Sequence, residues 1–231
     1  MTIPKPGVPT ARRASLPTPG LRFEKAAWKD GHAVVAGVDE VGRGAWAGPL
    51  VAAALVLPQD PVIRGRLTRT LNRHGLTPRD SKQLTHQHRL EIRNVLDSVG
   101  ITYAIVEVPV AEIDLHGVGQ ANQQALAGAI RSLAGVDYAL IDAFPVNGLD
   151  CRCHPVIGGD RQCLSIALAS IVAKVHRDNI LIELDAQLPG YGFATHKGYG
   201  TVAHRRAILE LGVSEHHRRS FRPVAEALER T

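Results

Sequence analysis

Residues 33–58 read AVVAGVDEVGRGAWAGPLVAAALVLP. AVVAGV at 33–38 has the apolar character of a buried strand, and PLVAAALVLP at 49–58 supplies another. The second run holds eight apolar residues between Pro49 and Pro58, a length that favours a strand despite its alanines. Between the two runs Asp39 stands beside Glu40, and a glycine-rich turn, Gly42-Arg43-Gly44, follows. Two carboxylates ~5 Å apart at an effective dielectric of ~20 repel by roughly 3 kcal/mol. Solvation, a basic neighbour or a bound cation has to offset that. Neighbouring side chains on a regular strand point to opposite faces, so both acids can grip one cation only where the backbone bends. Glycines make bending cheap.

Downstream, residues 59–79 are basic and carry Gly65, Gly75 and Pro78, which reads as a loop. Residues 80–100 read as a helix capped by Asp80 or Ser81, with Ile92, Val95, Leu96 and Val99 on one stripe and Gly100 as its stop. ITYAIVEV at 101–108 is a third strand, GQANQQALAGAIRSLAG at 119–135 a helix, and DYALIDA at 137–143 a fourth strand. HPVIGGD at 154–160 reads as a fifth. The longest helix spans 162–185, with Leu164, Leu168, Ile171, Val172 and Val175 on its core face. A glycine-rich loop then leads to a helix at 201–212 capped by Thr201, and residues from Ser214 read as helical with a break near Pro223. Strands alternating with helices give a mixed α/β domain with a C-terminal helical segment.

With 231 residues and 45% hydrophobic content, the chain can bury a core as one domain with an appendage. No apolar run approaches the ~20 residues that cross a bilayer, and the N-terminus lacks the apolar stretch of a secretory signal. Pro4, Pro6, Pro9, Pro17 and Pro19 oppose an amphipathic transit helix, so residues 1–24 read as a disordered tail. Three cysteines, Cys151, Cys153 and Cys163, make no even disulfide framework and point to a reducing cytoplasm. The formal charge is +5, concentrated across 196–222, where Lys197, Arg205, Arg206, Arg218, Arg219 and Arg222 face only Glu210 and Glu215. That segment suits a polyanion, and equally a solvated helical surface.

Asp142 is the other notable acid, because Ala139, Leu140 and Ile141 run straight into it. A carboxylate closing a buried strand is costly unless paired or metal-bound. Oxygen-only ligands select hard cations such as Mg²⁺ or Mn²⁺. The same residues also fit acids solvated at a sheet rim or paired with Arg43. GRGAWA matches the loose dinucleotide pattern G-x-G-x-x-A, but a strand-like run follows it where that reading needs a helix. The other use of such a loop is close approach of backbone amides to a sugar or phosphate. Cys151, Cys153 and His154 form C-x-C-H without a second cysteine pair at finger spacing, and read as incidental.

GVDEVGRGAWAGPLVAAAL (37–55), DSKQL (80–84), LIDA (140–143), GGD (158–160), SIALASIVAKVHRD (165–178), YGFATHKGYGT (191–201) and EHHRRSFRP (215–223) together resemble bacterial ribonuclease HII. Any one block is a weak signal, whereas seven in order across about 34–224 are strong. Ribonuclease HIII fits less well, since its loop usually has a small polar residue where Arg43 stands. Gly158 departs from the family, which often has lysine there, and Leu168 stands in a run usually kept small.

The resemblance implies a ribonuclease H-like fold: a mixed central sheet flanked by helices, with a C-terminal helical segment. It divides the chain into the tail 1–24, a catalytic domain 25–190 and a nucleic-acid-binding segment 191–231. It also implies a cytoplasmic, monomeric endoribonuclease. The substrate would be RNA–DNA hybrid or duplex DNA containing a single ribonucleotide, cut to 3′-hydroxyl and 5′-phosphate ends. Carried over by position, Asp39, Glu40, Asp142 and Asp160 would be catalytic and would hold Mn²⁺ or Mg²⁺, one ion activating water and a second stabilising the leaving oxygen. Gly42, Arg43 and Gly44 would read the ribose 2′-hydroxyl, Tyr199 would stack on the next sugar, and Lys82 and Lys174 would hold phosphates. Arg205, Arg206, Arg218, Arg219 and Arg222 are further candidate phosphate contacts, with His176 or His196 assisting.

Overall fold

The computed structural model describes residues 18–229. Most of the tail expectation therefore lies outside the described residues, but its end is corrected. Helix α1 (Arg22–Lys29) already begins inside the span assigned to the tail. Glu24 anchors it: fully buried, its Oε1 accepts from the Ser165 amide and hydroxyl, each at 2.8 Å. The carboxylate thereby satisfies an amide at the start of helix α5 (Leu164–Gln187), whose own N-cap residue, Cys163, makes no side-chain cap.

The two runs quoted first become strands β1 (Val35–Val41) and β2 (Leu50–Val56), paired antiparallel. β3 (Tyr103–Val108), β4 (Tyr138–Asp142) and β5 (Arg152–Val156) complete a sheet of order β3-β2-β1-β4-β5. β3 pairs antiparallel with β2, while β4 and β5 run parallel to β1. This is the mixed α/β sheet expected. α5 covers one face so closely that a Cβ on Gly37 would lie 2.2 Å from the Ser165 carbonyl carbon. The expected stripe of Leu168, Ile171, Val172 and Val175 fills the core there. Helix α4 (Val110–Arg131) covers the other face through Ile113, Ala125, Leu126 and Ile130.

Five local readings change. The fifth strand, expected at 154–160, is Arg152–Val156, and 157–160 turn into a 3₁₀ helix at Gly159–Arg161. Residues 59–79 are largely helical: α2 (Pro61–Arg73) starts from an Asp60 cap with proline in its first turn and buries Leu67 and Leu71. Asp80 caps only a short 3₁₀ turn, Ser81–Gln83, and Thr85 caps helix α3 (His86–Val99). α4 starts nine residues before Gly119 and bends where Gly117 adopts φ +80°. After α6 (Phe193–His196) and α7 (Val202–Leu211), residues 212–221 are not helical, and Pro223 lies in the first turn of α8 (Arg222–Leu228). The stretch before α8 is held instead by the sheet-side loop, with Arg218 N–H donating to Trp46 O at 2.7 Å. Residues 191–229 thus pack against the rest of the fold, with Phe193 buried among Ala47, Leu181 and Leu184. No helix among the described residues is long and apolar enough to cross a membrane.

Candidate active site

β1 delivers the acid pair to the edge of the core. It runs parallel to β4 with Val38 opposite Ile141, so the next residue on each strand, Asp39 and Asp142, reaches the same level. Neighbouring strands lie about 4.8 Å apart, and residues in register share a face. Gly37 and Leu140, two residues earlier, both lie on the α5 side. Glu40 is the last acid before the chain swings away at Gly42, where φ is +87°.

Asp160 arrives from the neighbouring strand. Past Val156, which pairs with Asp142, Gly158 takes φ +62° and turns the chain into the short helix Gly159–Arg161. The Gly159 amide donates to Asp142 Oδ1 at 2.7 Å. A Cβ on Gly159 would sit 2.5 Å from Ile166 Cδ1, so glycine allows this close approach.

The ten residues carried over by resemblance line one cleft of about 720 Å³: Asp39, Glu40, Gly42, Arg43, Gly44, Lys82, Asp142, Asp160, Lys174 and Tyr199. Burial, then the charges of Glu40 and Asp142, raises the Asp39 pKa well above the usual carboxylate range. Burial and then Asp142 push Glu40 up to about 7, against the pull of Arg43 and Lys82. Asp142 and Asp160 are raised as well, by burial first, with Lys82 and Arg161 opposing. Among the described residues, no three His, Cys, Asp or Glu side chains form a ready-made ligand cage. The donor chemistry nonetheless fits a hard divalent cation: every donor is an oxygen, and a cation offsets both the burial and the repulsion that raise these pKa values.

The cations of the cleft are set by a buried network. Arg89 Nη1 donates to Ser81 O and Leu84 O at 2.9 and 2.6 Å, pinning the turn that carries Lys82. Arg89 Nη2 and Lys174 Nζ share the buried Asp178, at 3.1 and 2.7 Å. Beneath the glycine loop, fully buried Arg177 donates to Pro49 O, Lys197 O and Ala47 O at 2.8–2.9 Å. A Cβ on Gly42 would strike the Arg177 side chain at 2.1 Å, whereas one on Gly44 would meet nothing within 4 Å. Gly42 serves packing, and Gly44 leaves open space on the cleft. The loop leads into β2 and not into a helix, so the dinucleotide reading has no helix terminus to hold a pyrophosphate.

A profile of the family described as Ribonuclease HII matches residues 36–224. The chain belongs to the ribonuclease HII family. Ribonuclease HII of Mycobacterium bovis is 46% identical over 204 residues, covering 87% of this chain and 74% of that one. Ribonuclease H2 of Pyrococcus horikoshii superposes with a TM-score of 0.70 at 25% identity, covering 85% of this chain and 98% of that one. Bst-RNase HIII, solved with Mn²⁺, superposes with a TM-score of 0.61 at 20% identity, covering 88% of this chain and 72% of that one, a likeness of fold alone. Membership makes the chain a ribonuclease of the H type, a hydrolase.

Several basic residues of this ribonuclease HII chain lie away from where their charge suggests. Arg218 is fully buried, with Nη1 on Arg43 O at 3.0 Å and Nε and Nη2 on Gly48 O at 3.1 and 2.9 Å. Arg206 and Arg222 pair with Glu210 and Glu226 one turn on, and His176 pairs with Glu107 at 2.6 Å. His196 is buried, with Nε2 2.7 Å from Tyr191 O. Arg205 and Arg219 remain exposed. Ser81, Ser170, Val118 and Phe221 line the cleft without having been picked out. Ser170 had one available signal, a polar residue inside the small-residue run of α5.

Burial pulls His204 and His217 down to about 4. Each imidazole binds its proton more readily in the unfolded chain, near 6.5, than in the fold. Their contribution to stability is therefore complete above about pH 6.5 and is lost as the pH falls through 4. Thermal melts from pH 7 to 4 are expected to fall more steeply for the wild type than for the double variant His204→Gln/His217→Gln, since the cleft carboxylates titrate in both. Parallel curves would show that burial does not hold these imidazoles neutral.

Proposed function

We propose that this cleft hydrolyses the RNA strand of RNA–DNA hybrids and cuts on the 5′ side of single ribonucleotides in duplex DNA, clearing RNA primers and misincorporated ribonucleotides. The products are a 3′-hydroxyl and a 5′-phosphate. The observation that carries the reading is the convergence of four carboxylates, a backbone loop with open space at Gly44, and Tyr199 on one cleft. Asp39, Glu40, Asp142 and Asp160 hold the divalent metal. Mg²⁺ or Mn²⁺ bound there supplies nucleophilic water and stabilises the leaving 3′-oxygen.

The chain's own groups supply the selectivity. The backbone of Gly42, Arg43 and Gly44 reads the 2′-hydroxyl, the group that separates RNA from DNA. A site built around that hydroxyl rejects DNA strongly, because its polar groups stay unpaired without it. Tyr199 packs its ring on the following sugar, with Lys174 Nζ 5.9 Å and Arg177 Cζ 5.5 Å from the ring centre. Lys82 and Lys174 carry the neighbouring phosphates. The protein acts as a monomer in the cytoplasm.

An end-labelled duplex with one embedded ribonucleotide tests this. Cleavage is expected 5′ of the ribonucleotide with Mg²⁺ or Mn²⁺, none with EDTA, and none of an all-DNA duplex. Equal cutting of both duplexes would remove the loop's role.

A further inference from the structure

Three histidines lie beneath Tyr199, and none of them lines the cleft. Their hydrogen bonds leave one consistent set of protons. The Tyr199 carbonyl can only accept, so His204 Nδ1, 3.0 Å away, carries a proton. In the neutral ring His204 Nε2 is then bare and must accept from His217 Nε2, 3.1 Å away. His217 Nδ1 in turn accepts from the Ser214 amide at 3.0 Å. The donors run head to tail: Ser214 N–H, His217, His204, Tyr199 C=O. His196 holds the other side of the same turn, with Nδ1 accepting from the Gly198 amide at 3.2 Å and Nε2 donating to Tyr191 O.

The surroundings fix these rings in place. His204 and His217 are fully buried, and His196 stacks on His204 with 4.2 Å between ring centres. Phe193 packs edge-on to His196 and His204, and Trp46 lies 5.6 Å from His204. The Gly198 carbonyl is itself gripped by Trp46 N–H at 2.8 Å, so this turn is tied to the glycine loop that bears Arg43. Both inner imidazoles stay neutral near pH 7. A protonated His204 would turn its second N–H on His217 Nε2, which could accept only by moving the His217 proton to Nδ1, toward Ser214 Oγ and against the Ser214 amide, so the chain of donors would reverse there.

We infer that His204 and His217 are positioning residues for substrate discrimination: their ordered donor chain holds the Tyr199 backbone so that the ring meets the sugar at the RNA-to-DNA junction. The inference rests on the reading of Tyr199 given above. A residue held in this way reaches its partner without reorganising, so loosening the tether weakens binding while leaving the chemistry intact.

The test is a double-mutant cycle on the single-ribonucleotide duplex, with kcat and KM measured separately. Tyr199→Ala is expected to raise KM by about tenfold, in the range of an aromatic stacking contact. His204→Leu is expected to raise it by a similar factor with kcat within about twofold, and adding Tyr199→Ala to it should cause no further loss. His204→Asn, whose side-chain amide can replace the Nδ1 donor, should recover most of the wild-type KM. If His204→Leu fails to melt cooperatively, His217→Phe carries the same expectation. It keeps the packing against Tyr191 and Phe193 but leaves His204 Nε2 without its donor. Additive effects of the two substitutions, or no recovery in His204→Asn, would overturn the inference and leave the tyrosine contact standing. No effect of Tyr199→Ala would overturn both.

Discussion

Asp142→Asn is expected to reduce cleavage by at least about a thousandfold, roughly 4 kcal/mol of transition-state stabilisation, while the metal-free protein melts at a higher temperature than the wild type at pH 8. The two effects share one cause. Asp142 raises the pKa of Asp39, Glu40 and Asp160 through its charge. A carboxyl with a folded pKa above its unfolded one opposes folding once ionised. The penalty is absent below the unfolded value and grows as the pH rises through the folded one, about 7 for Glu40. Asparagine removes the charge yet keeps an oxygen to accept the Gly159 amide that Oδ1 now holds at 2.7 Å. A gain of about 2 °C or more is expected in EDTA, shrinking toward pH 4 as the wild-type cluster protonates. Such a trade of stability for activity is common where like charges are gathered for function. Calorimetry beside the cleavage assay decides it: a variant that still cuts, or one that melts lower at pH 8, would refute the account.

β1 to β4 were legible because each is a short apolar run with a clear stop, proline at 49, 58 and 109 and an acid at 39 and 142. β5, RCHPV at 152–156, has no such run, and its expected place at 154–160 overlaps it only in part. The cleft residues were legible for a related reason, since a carboxylate at the end of a buried strand has few bland explanations. What the sequence hid lay in tertiary contacts. α2 buries a stripe through Leu67 and Leu71, but its arginines and Gly65 give it the local character of a loop. Only the part of α4 from Gly119 reads as a helix, because Gly117 interrupts the helical backbone ahead of it. Residues 214–221 have helical composition, yet Asp114 captures the Arg219 and Ser220 amides at 2.9 Å and spends them outside any helix.

Asp178 shows a signal that was present in the pattern. It continues the core stripe of α5, three residues after Val175, so a charged residue was due to be buried there. A buried carboxylate demands partners, and Arg89 and Lys174 both hydrogen-bond to it, with His86 Nδ1 3.9 Å away. The resemblance assigns Lys174 to a phosphate, and its placement follows from this pairing.

Arg218→Ala is expected to destabilise the fold by about 3 kcal/mol or more, because three hydrogen bonds of a buried guanidinium, two of them to the buried Gly48 carbonyl, are lost together. For a chain of this size that corresponds to a melting temperature lower by roughly 6 °C or more. Arg218→Lys should recover little, since one ammonium cannot span the fork from Gly48 O to Arg43 O. These two carbonyls bracket the glycine loop, so the surviving folded protein should also discriminate less between ribonucleotide and deoxyribonucleotide duplexes. Its salt dependence of binding should not change, because a guanidinium with no exposed surface releases no counterion from the nucleic acid. Arg205→Ala is the converse case. Its guanidinium lies over Trp46 at 5.5 Å on the exposed side of α7. Its loss should leave stability within about 0.5 kcal/mol and reduce the slope of log K against log salt by about one if it meets a phosphate. Measuring melting and salt slope on both variants separates a charge that builds the loop from one that faces the substrate. A shallower salt slope for Arg218→Ala would mean that this arginine leaves its cradle to meet the nucleic acid.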